Sequence, residues 1–467
     1  MRTLPLSLLA AGVLAGCAGF SPDGGLGPAQ QAARNHLGGK DLVWARNDAE
    51  RDRIDTRVAE LLRAPLSADA AMQVALLNHR GLQASLHELG LSEAELVQAS
   101  RLPNPGFSFG RFKAGDEREI ERGLHFNLAR LVALPWLRDA ARRRFEATQS
   151  DVALRVLEHG ADTRRAWVQA VAAQEGLRYA RQVMRAAEAG AELARRMQEV
   201  GNFSPLQRAR EQAFHADAAL GVARAEQAAL AARERLARLM GLWGTQAAAF
   251  TLPERLPDLP SAARDLPEAE RTAIAQRLDL RAARAATQQL AAQQGLARAT
   301  PFTDGLELGL ERNSSNEGPT QRGWDLGFEL PLFDGGAARR AQADHALRQA
   351  MLRAEQAAID ARSEVRTAYG AYRTAYDMAR HHRDEVVPLR RRILDENLLR
   401  YNGMLIGVFE LLADARVQIV SVQASIEALR DFWLADADLD MALIGKPALA
   451  PMGAAPAAAQ AAGGDAH

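Results

Sequence analysis

Apolar residues recur along this chain in two rhythms, and the switches between them mark its elements. Spacings of three and four, which put side chains on one helix face, run over about residues 67–100, 137–200, 206–241, 267–299, 336–400 and 408–444. Strict alternation, which gives a strand one apolar face, appears at 106–112 (GFSFGRF), 124–130 (LHFNLAR), 304–311 (DGLELGLE) and 323–330 (GWDLGFEL). In the last of these Trp324, Leu326, Phe328 and Leu330 share one side; Asp325, Gly327 and Glu329 share the other. The stretch LPNP (102–105) stops the first helix, since proline removes an amide donor and disfavours helix in the residue before it. KAGDERE (113–119) reads as a long charged loop and RNSSNEGPTQ (312–321) as a polar one, so the strands pair off as two hairpins.

The elements come in the same order twice, roughly 200 residues apart: helix, hairpin, very long helix, turn, helix. Pro135 in LPWLRDAARRR matches Pro331 in LPLFDGGAARR, and Ala209-Arg210 matches Ala415-Arg416. The repeats span 66–251 and 267–445, joined by a Pro-rich linker at 252–266 and followed by an Ala/Pro/Gly tail at 446–467 expected to be disordered. GNFSP (201–205) and YNGMLIG (401–407) reverse the two pairs of long helices. Val365, Tyr369, Tyr372, Tyr376, Ala379, Val386 and Ile393 keep the narrow spacing of a coiled-coil seam. A helix of about 65 residues would be ~100 Å long, more than a compact domain needs. Pro388 lies inside that pattern and should bend the helix or cost it a hydrogen bond.

Composition narrows the class. Hydrophobic residues make up 48 % of the 467, much of it alanine, while aromatics are 5 %. That favours long helices in close contact over a large aromatic core. The 58 basic and 58 acidic residues cancel, so nothing points to nucleic acid. No stretch beyond the N-terminus reaches the ~18 apolar residues of a spanning helix. The N-terminus itself (MRTLPLSLLAAGVLAGC) has one charge, an apolar run and small residues, the order of a secretory signal. Leu14-Ala15-Gly16-Cys17 resembles the bacterial lipobox, which implies cleavage after residue 16 and acylation of Cys17. Ala18 in place of aspartate implies, by the same resemblance, delivery to the outer membrane. Residues 17–65 would then be an anchored linker, and no cysteine remains for a disulfide or thiolate metal site.

The hairpins' apolar faces have no obvious core, because the helices already use their seams on one another. Either the hairpins cap a soluble bundle, or they face lipid. In lipid every backbone polar group must be paired, so strands must close into a barrel. One chain supplies about four strands, and membrane barrels start at ~8, so a dimer or a trimer would be required. Phe107, Phe109, Phe112, Phe126, Trp324, Phe328 and Phe333 would then lie on or near that barrel. No phosphate loop, G-x-S-x-G or H-E-x-x-H stretch is present, so the sequence offers neither an enzyme site nor a cofactor. His381-His382 with Asp384 and Glu385 suggests metal ligands at first sight, but adjacent helical residues point ~100° apart, which favours a solvated face.

With its duplicated layout, its LGFELPLFDGG, VVPLRRRILDENLLRYNG (386–403) and GVFELLADAR (407–416) stretches, the chain resembles the TolC-like outer-membrane efflux proteins over about 66–444. The family's Tyr-x-x-Gly spacing is replaced by Tyr401-Asn402-Gly403, with a second glycine at Gly407. The resemblance implies a mainly α fold with a small β portion: a homotrimer with a long coiled-coil α-helical barrel and a 12-stranded transmembrane β-barrel, four strands per chain. It implies an outer-membrane exit duct for small molecules or metal ions, working with a periplasmic adaptor and an inner-membrane pump. A type I secretion duct shares that architecture, and a periplasmic coiled-coil spacer or adaptor lipoprotein is the alternative outside it. By resemblance, the adaptor docks at the helix turns, through Gly201, Asn202, Ser204, Tyr401, Asn402, Gly403 and Gly407. Glu410 and Asp414, four apart on one helix face, would form the acidic pore gate. LHFNLARLVALPWLRDAARRR resembles TolC-like lipoproteins of metal tolerance, a hint about cargo.

Overall fold

A computed structural model describes residues 19–299, 305–328, 333 and 335–447. The acylation candidate Cys17, the signal segment, Leu330, Pro331 and most of the tail lie outside them. The described elements are α1 (Gly27–His36), α2 (Asp48–Leu61), α3 (Ala68–Asn78), α4 (Arg80–Ala99), β1 (Gly106–Ala114), β2 (Glu117–Asn127), α5 (Leu128–Glu199), α6 (Pro205–Leu239) and α7 (Thr245–Ala249). Then follow α8 (Ala269–Gln276), α9 (Leu278–Ala299), β3 (Glu307–Ser315), β4 (Gln321–Gly327), α10 (Ala337–His381), a π-helical turn (His382–Val386), α11 (Val387–Asn402) and α12 (Val408–Ile444). No helix among the described residues is long and apolar enough to cross a membrane.

Two compact units emerge, and each draws on both repeats. The first holds residues up to 32, 84–154 and 278–359; the second holds 33–83, 155–277 and 360 onward. The first unit contains the sheet, in the order β1-β2-β3-β4, all antiparallel. Its N-terminal segment is tied down: the Ser21 amide donates to Glu93 Oε1 at 2.6 Å, and Gln149 Nε2 donates to the Gly25 carbonyl at 3.1 Å.

Three differences from the sequence reading have local causes. KAGDERE is mostly strand, with only a tight turn at Gly115 (φ +63°). From Glu117 acidic and basic side chains alternate with a period of two, and that rhythm specifies a strand as well as alternating apolar residues do. Residues 128–130 are helical, because Asn127 ends β2 and its Oδ1 accepts the Arg130 amide at 2.7 Å, an N-cap. The α5 helix therefore begins ahead of Pro135 and includes it. At Pro388 the helical run continues through a π turn, in which the Val387 amide donates to the His382 carbonyl. The wider turn accommodates the ring that would otherwise meet the carbonyl four residues back.

In the second unit, Ile54, Val58, Val74, Trp167, Val171, Leu236, Met240 and Phe250 form one core. The tyrosine seam forms another, with Val365, Tyr372, Tyr376 and Ala379 buried against Phe432. These tyrosines also hold the interrepeat linker. Tyr372 Oη accepts the Arg264 amide at 2.9 Å, and Tyr376 Oη donates to the Pro260 carbonyl at 3.2 Å.

Candidate functional site

The sheet separates apolar and acidic residues by face. Directly paired residues share a face, so the register defines both. On one face Phe107, Leu124, Leu310 and Trp324 lie side by side, next to a level of Phe126, Leu308 and Leu326. Trp324 is 72 % and Phe107 68 % exposed, so no described residue covers them on this face. The other face carries Glu117, Glu119, Glu121, Glu307, Glu311 and Asp325 among glycines, with no lysine or arginine in its strand positions. A Cβ on Gly309 would lie 1.9 Å from Asp325 Oδ1, so only glycine lets that carboxylate fold over the strand. Phe112 sits on this acidic face, opposite Glu119, apart from the other strand aromatics. β1 and β4 each have one edge without a partner strand among the described residues.

The two helix reversals meet in the second unit. Gly201 closes α5 at φ +78°, and the amides of Asn202 and Phe203 both donate to the Met197 carbonyl, at 2.8 and 3.2 Å. Ser204 caps α6 in a reciprocal box with Gln207. Tyr401 and Asn402 end α11, exposed; Gly403 caps it and Gly407 precedes α12. The left-handed residue of this turn is Met404 (φ +60°), not a glycine. Phe203 stacks on Phe409 with centroids 4.6 Å apart and joins Ala194 and Val408, so the two turns share one small core. Around it Val200, Met404 and Leu405 are exposed, Met404 by 93 %. The sequence reading missed these apolar residues; the run Met404-Leu405-Ile406 inside a turn was the available signal.

Glu410 is exposed in the first turn of α12, and Asp414 lies half-buried one turn on, accepting a hydrogen bond from Asn397 of α11. The arginines near them in sequence are engaged elsewhere. Arg416 pairs with buried Glu211 at 2.6 Å and stacks over Phe214, while Arg400 pairs with Glu396.

A second acidic set was not singled out in the sequence. Asp436 and Asp440 of α12 face Arg164 and Arg264, with all four ion-pair contacts between 2.6 and 2.7 Å. Burial, then the neighbouring Asp440, holds the Asp436 carboxyl above its ordinary range, against the pull of the two arginines. Asp438 is raised by burial too and pairs with Arg165. At the π turn, His381 Nδ1 lies 3.2 Å from Glu385, and Arg383 pairs with Asp384. Among the described residues no group of three or more His, Cys, Asp or Glu could hold a metal ion.

Residues 271–437 match the family model described as outer membrane efflux protein. The cobalt-zinc-cadmium resistance protein CzcC of Cupriavidus metallidurans is 26 % identical over 284 residues, 58 % of this chain and 64 % of that relative. The match therefore spans somewhat less than two thirds of the relative's length. The fold is shared with CusC, which forms a transmembrane channel (TM-score 0.66, 17 % identity, 81 % of this chain and 92 % of that one). It is shared also with the CmeC outer membrane channel of Campylobacter jejuni (TM-score 0.65, 14 % identity, 84 % and 85 %). Family model and fold agree: residues 271–437 carry the outer membrane efflux protein match, and the chain shares the fold of these outer-membrane channels.

Proposed function

We propose that the protein is the outer-membrane exit duct of a tripartite efflux system, and that its cargo is cationic. The observation that carries this reading is the sheet: an exposed apolar face, an acidic opposite face and two open edges. Open edges cannot stand in lipid, so β1 of one copy must pair with β4 of the next. Three copies, as in the family, close twelve strands, with the apolar face outward and the carboxylates lining the lumen. Six carboxylates per chain and no strand lysine or arginine on that face would favour cations, by the same physics as acidic pore rings. The three metals named in the CzcC relative's description agree with that sign. Cys17 serves as the acylated anchor in this reading. The direct test is the native mass of the mature protein from outer-membrane fractions, followed by reversal potentials in planar bilayers. A monomer, or an anion-selective pore, would overturn the proposal.

The shared tip around Phe203 and Phe409 is the adaptor's docking end, with Gly201, Asn202, Ser204, Tyr401, Asn402, Gly403 and Gly407 shaping the two turns. Exposed Val200, Met404 and Leu405 supply the apolar contact. Truncating Met404 and Leu405 to alanine is expected to weaken adaptor binding by about 2 to 4 kcal/mol, the range of buried interface anchors. Pull-down with the cognate adaptor measures it, and unchanged binding with an intact trimer removes the tip from the interface.

Glu410 and Asp414 are proposed as the acidic constriction. Glu410→Gln with Asp414→Asn should weaken block of the pore by divalent cations about tenfold, as expected when a carboxylate ring loses its charge. Identical block in wild type and variant would assign them a solvated role.

A further inference from the structure

One row of the sheet does not fit a surface that meets only hydrocarbon. Above the level of Leu124, Leu310 and Trp324, the same face carries Arg122, Arg312 and Arg322 directly abreast on β2, β3 and β4. Neighbouring strands are ~4.8 Å apart, so three guanidinium groups start from a row only ~10 Å wide. Further toward the turns, Lys113 faces Arg118 directly, with Arg111 on the same face beside them. Like charges directly opposite one another are destabilising, and here five of the six bases face another base. The carboxylates that could relieve them, Glu117, Glu119, Glu121, Glu311 and Asp325, point to the opposite face of the same strands. Among the described residues none of the six bases is ion-paired to a carboxylate, Arg122 reaching only the Ser314 hydroxyl at 3.5 Å, and all but half-buried Arg122 are exposed.

We infer that Arg122, Arg312 and Arg322, with Lys113, Arg118 and Arg111 above them, form a binding belt for the phosphate groups of anionic lipid headgroups at the turn end of the sheet. Charge complementarity selects the occupant. A guanidinium fork matches a phosphate in two-pronged geometry. The belt adjoins an apolar band on one face, so its ligand must carry phosphate and acyl chain together, which a free anion does not. The two basic tiers, Arg122 and Arg118, are four residues apart on β2, or ~13 Å along the strand, enough depth for more than one phosphate. This inference rests on the reading of the sheet as a membrane barrel.

The test uses the full mature protein reconstituted into phosphatidylcholine vesicles with and without phosphatidic acid. Trp324 shares a strand and a face with Arg322, so its fluorescence reports lipid at the belt. Quenching by brominated phosphatidic acid, set against brominated phosphatidylcholine, gives the relative affinity; Trp324→Phe identifies the signal. Wild type is expected to prefer phosphatidic acid strongly. Replacing Arg122, Arg312 and Arg322 with glutamine should cut the preference roughly a hundredfold, about fivefold for each arginine lost near an anionic surface. Without anionic lipid the same variant should be no less stable than wild type, because the like-charge row is gone. Equal quenching by both lipids in wild type overturns the belt and leaves the duct reading standing. Displacement of the acidic lipid by inorganic phosphate also overturns it, in favour of a free-anion site. Quenching by neither lipid overturns the membrane reading and the belt with it. If the glutamine variant does not insert, the wild-type preference decides the matter unaided.

Discussion

Leu326→Arg is expected to strip the protein from the outer membrane as an assembled oligomer, while Glu311→Arg is expected to leave assembly intact. The two residues lie on neighbouring strands and opposite faces: Leu326 opposite Leu308, Glu311 opposite Gly323. An arginine on the lipid face of a barrel costs about 2–4 kcal/mol near the bilayer midplane and less near the interfaces. Leu326 is two levels from the arginine row on the side away from the turns, toward the middle of the apolar band. The cost recurs in every copy of the barrel, so the loss of assembled protein should be nearly complete. In the proposed barrel Glu311→Arg would instead change the wall of the pore, where charge is solvated, and its effect should appear as reduced cation selectivity. Immunoblots of outer-membrane fractions, run without heating, read the first outcome, and reversal potentials read the second. Wild-type amounts of assembled Leu326→Arg would mean that this face never meets lipid.

Arg164→Ala should lower the stability of the helical part by about 3 kcal/mol, the lower end of the range for removing one partner of a buried ion pair. Arg164 contributes a bond to Asp440 at 2.6 Å and one to Asp436 at 2.7 Å, and the Asp436 side chain keeps only 11 % of its exposure. The loss should depend on pH in a definite direction. Asp436 already sits above its ordinary range when folded, so the folded state holds its proton more tightly than the unfolded chain. Such a group contributes stability that is fully present below the unfolded pKa and is lost as pH rises through the folded pKa. Removing Arg164 takes away one of the influences that lower the carboxyl, so the deficit should grow as pH rises above the ordinary carboxylate range. His159 works the other way: burial, then stacked His79, pushes it down to about 4, so its contribution is lost as pH falls below its unfolded value. Comparing variant with wild type at each pH removes that shared background. Thermal melts of the helical signal in detergent give the answer as a midpoint difference, compared at one scan rate because unfolding of such proteins is often irreversible. A deficit that shrinks as pH rises would contradict the assignment.

Much of the architecture is legible in local pattern. The apolar periods locate the long helices, although α5 begins nine residues before its expected start and the short α1 and α7 carry no such period, and the alternation at GWDLGFEL announces a strand with one apolar face. The two reversals at GNFSP and YNGMLIG stand where glycine and asparagine allow them. Other features were legible but went unread. EREIERG alternates charge as regularly as its neighbours alternate hydrophobicity, and treating charge as a loop signal hid a strand and its two opposed faces. Asn127 three residues ahead of Arg130 was a helix cap inside what looked like continuing strand.

The sequence by itself determined the order and type of the elements, their duplication, and the existence of an apolar strand face that the helices could not cover. These follow from hydrophobic period and turn chemistry, which act over a few residues. Tertiary structure alone decided what crosses between the repeats. The β2–β3 register places Arg122 beside Arg312, and α12 brings Asp436 and Asp440 to Arg164 and Arg264. Such pairings join residues more than a hundred positions apart. No local period encodes them, because they depend on how a strand slides by whole residues against a distant partner and on which face of a helix a distant side chain meets.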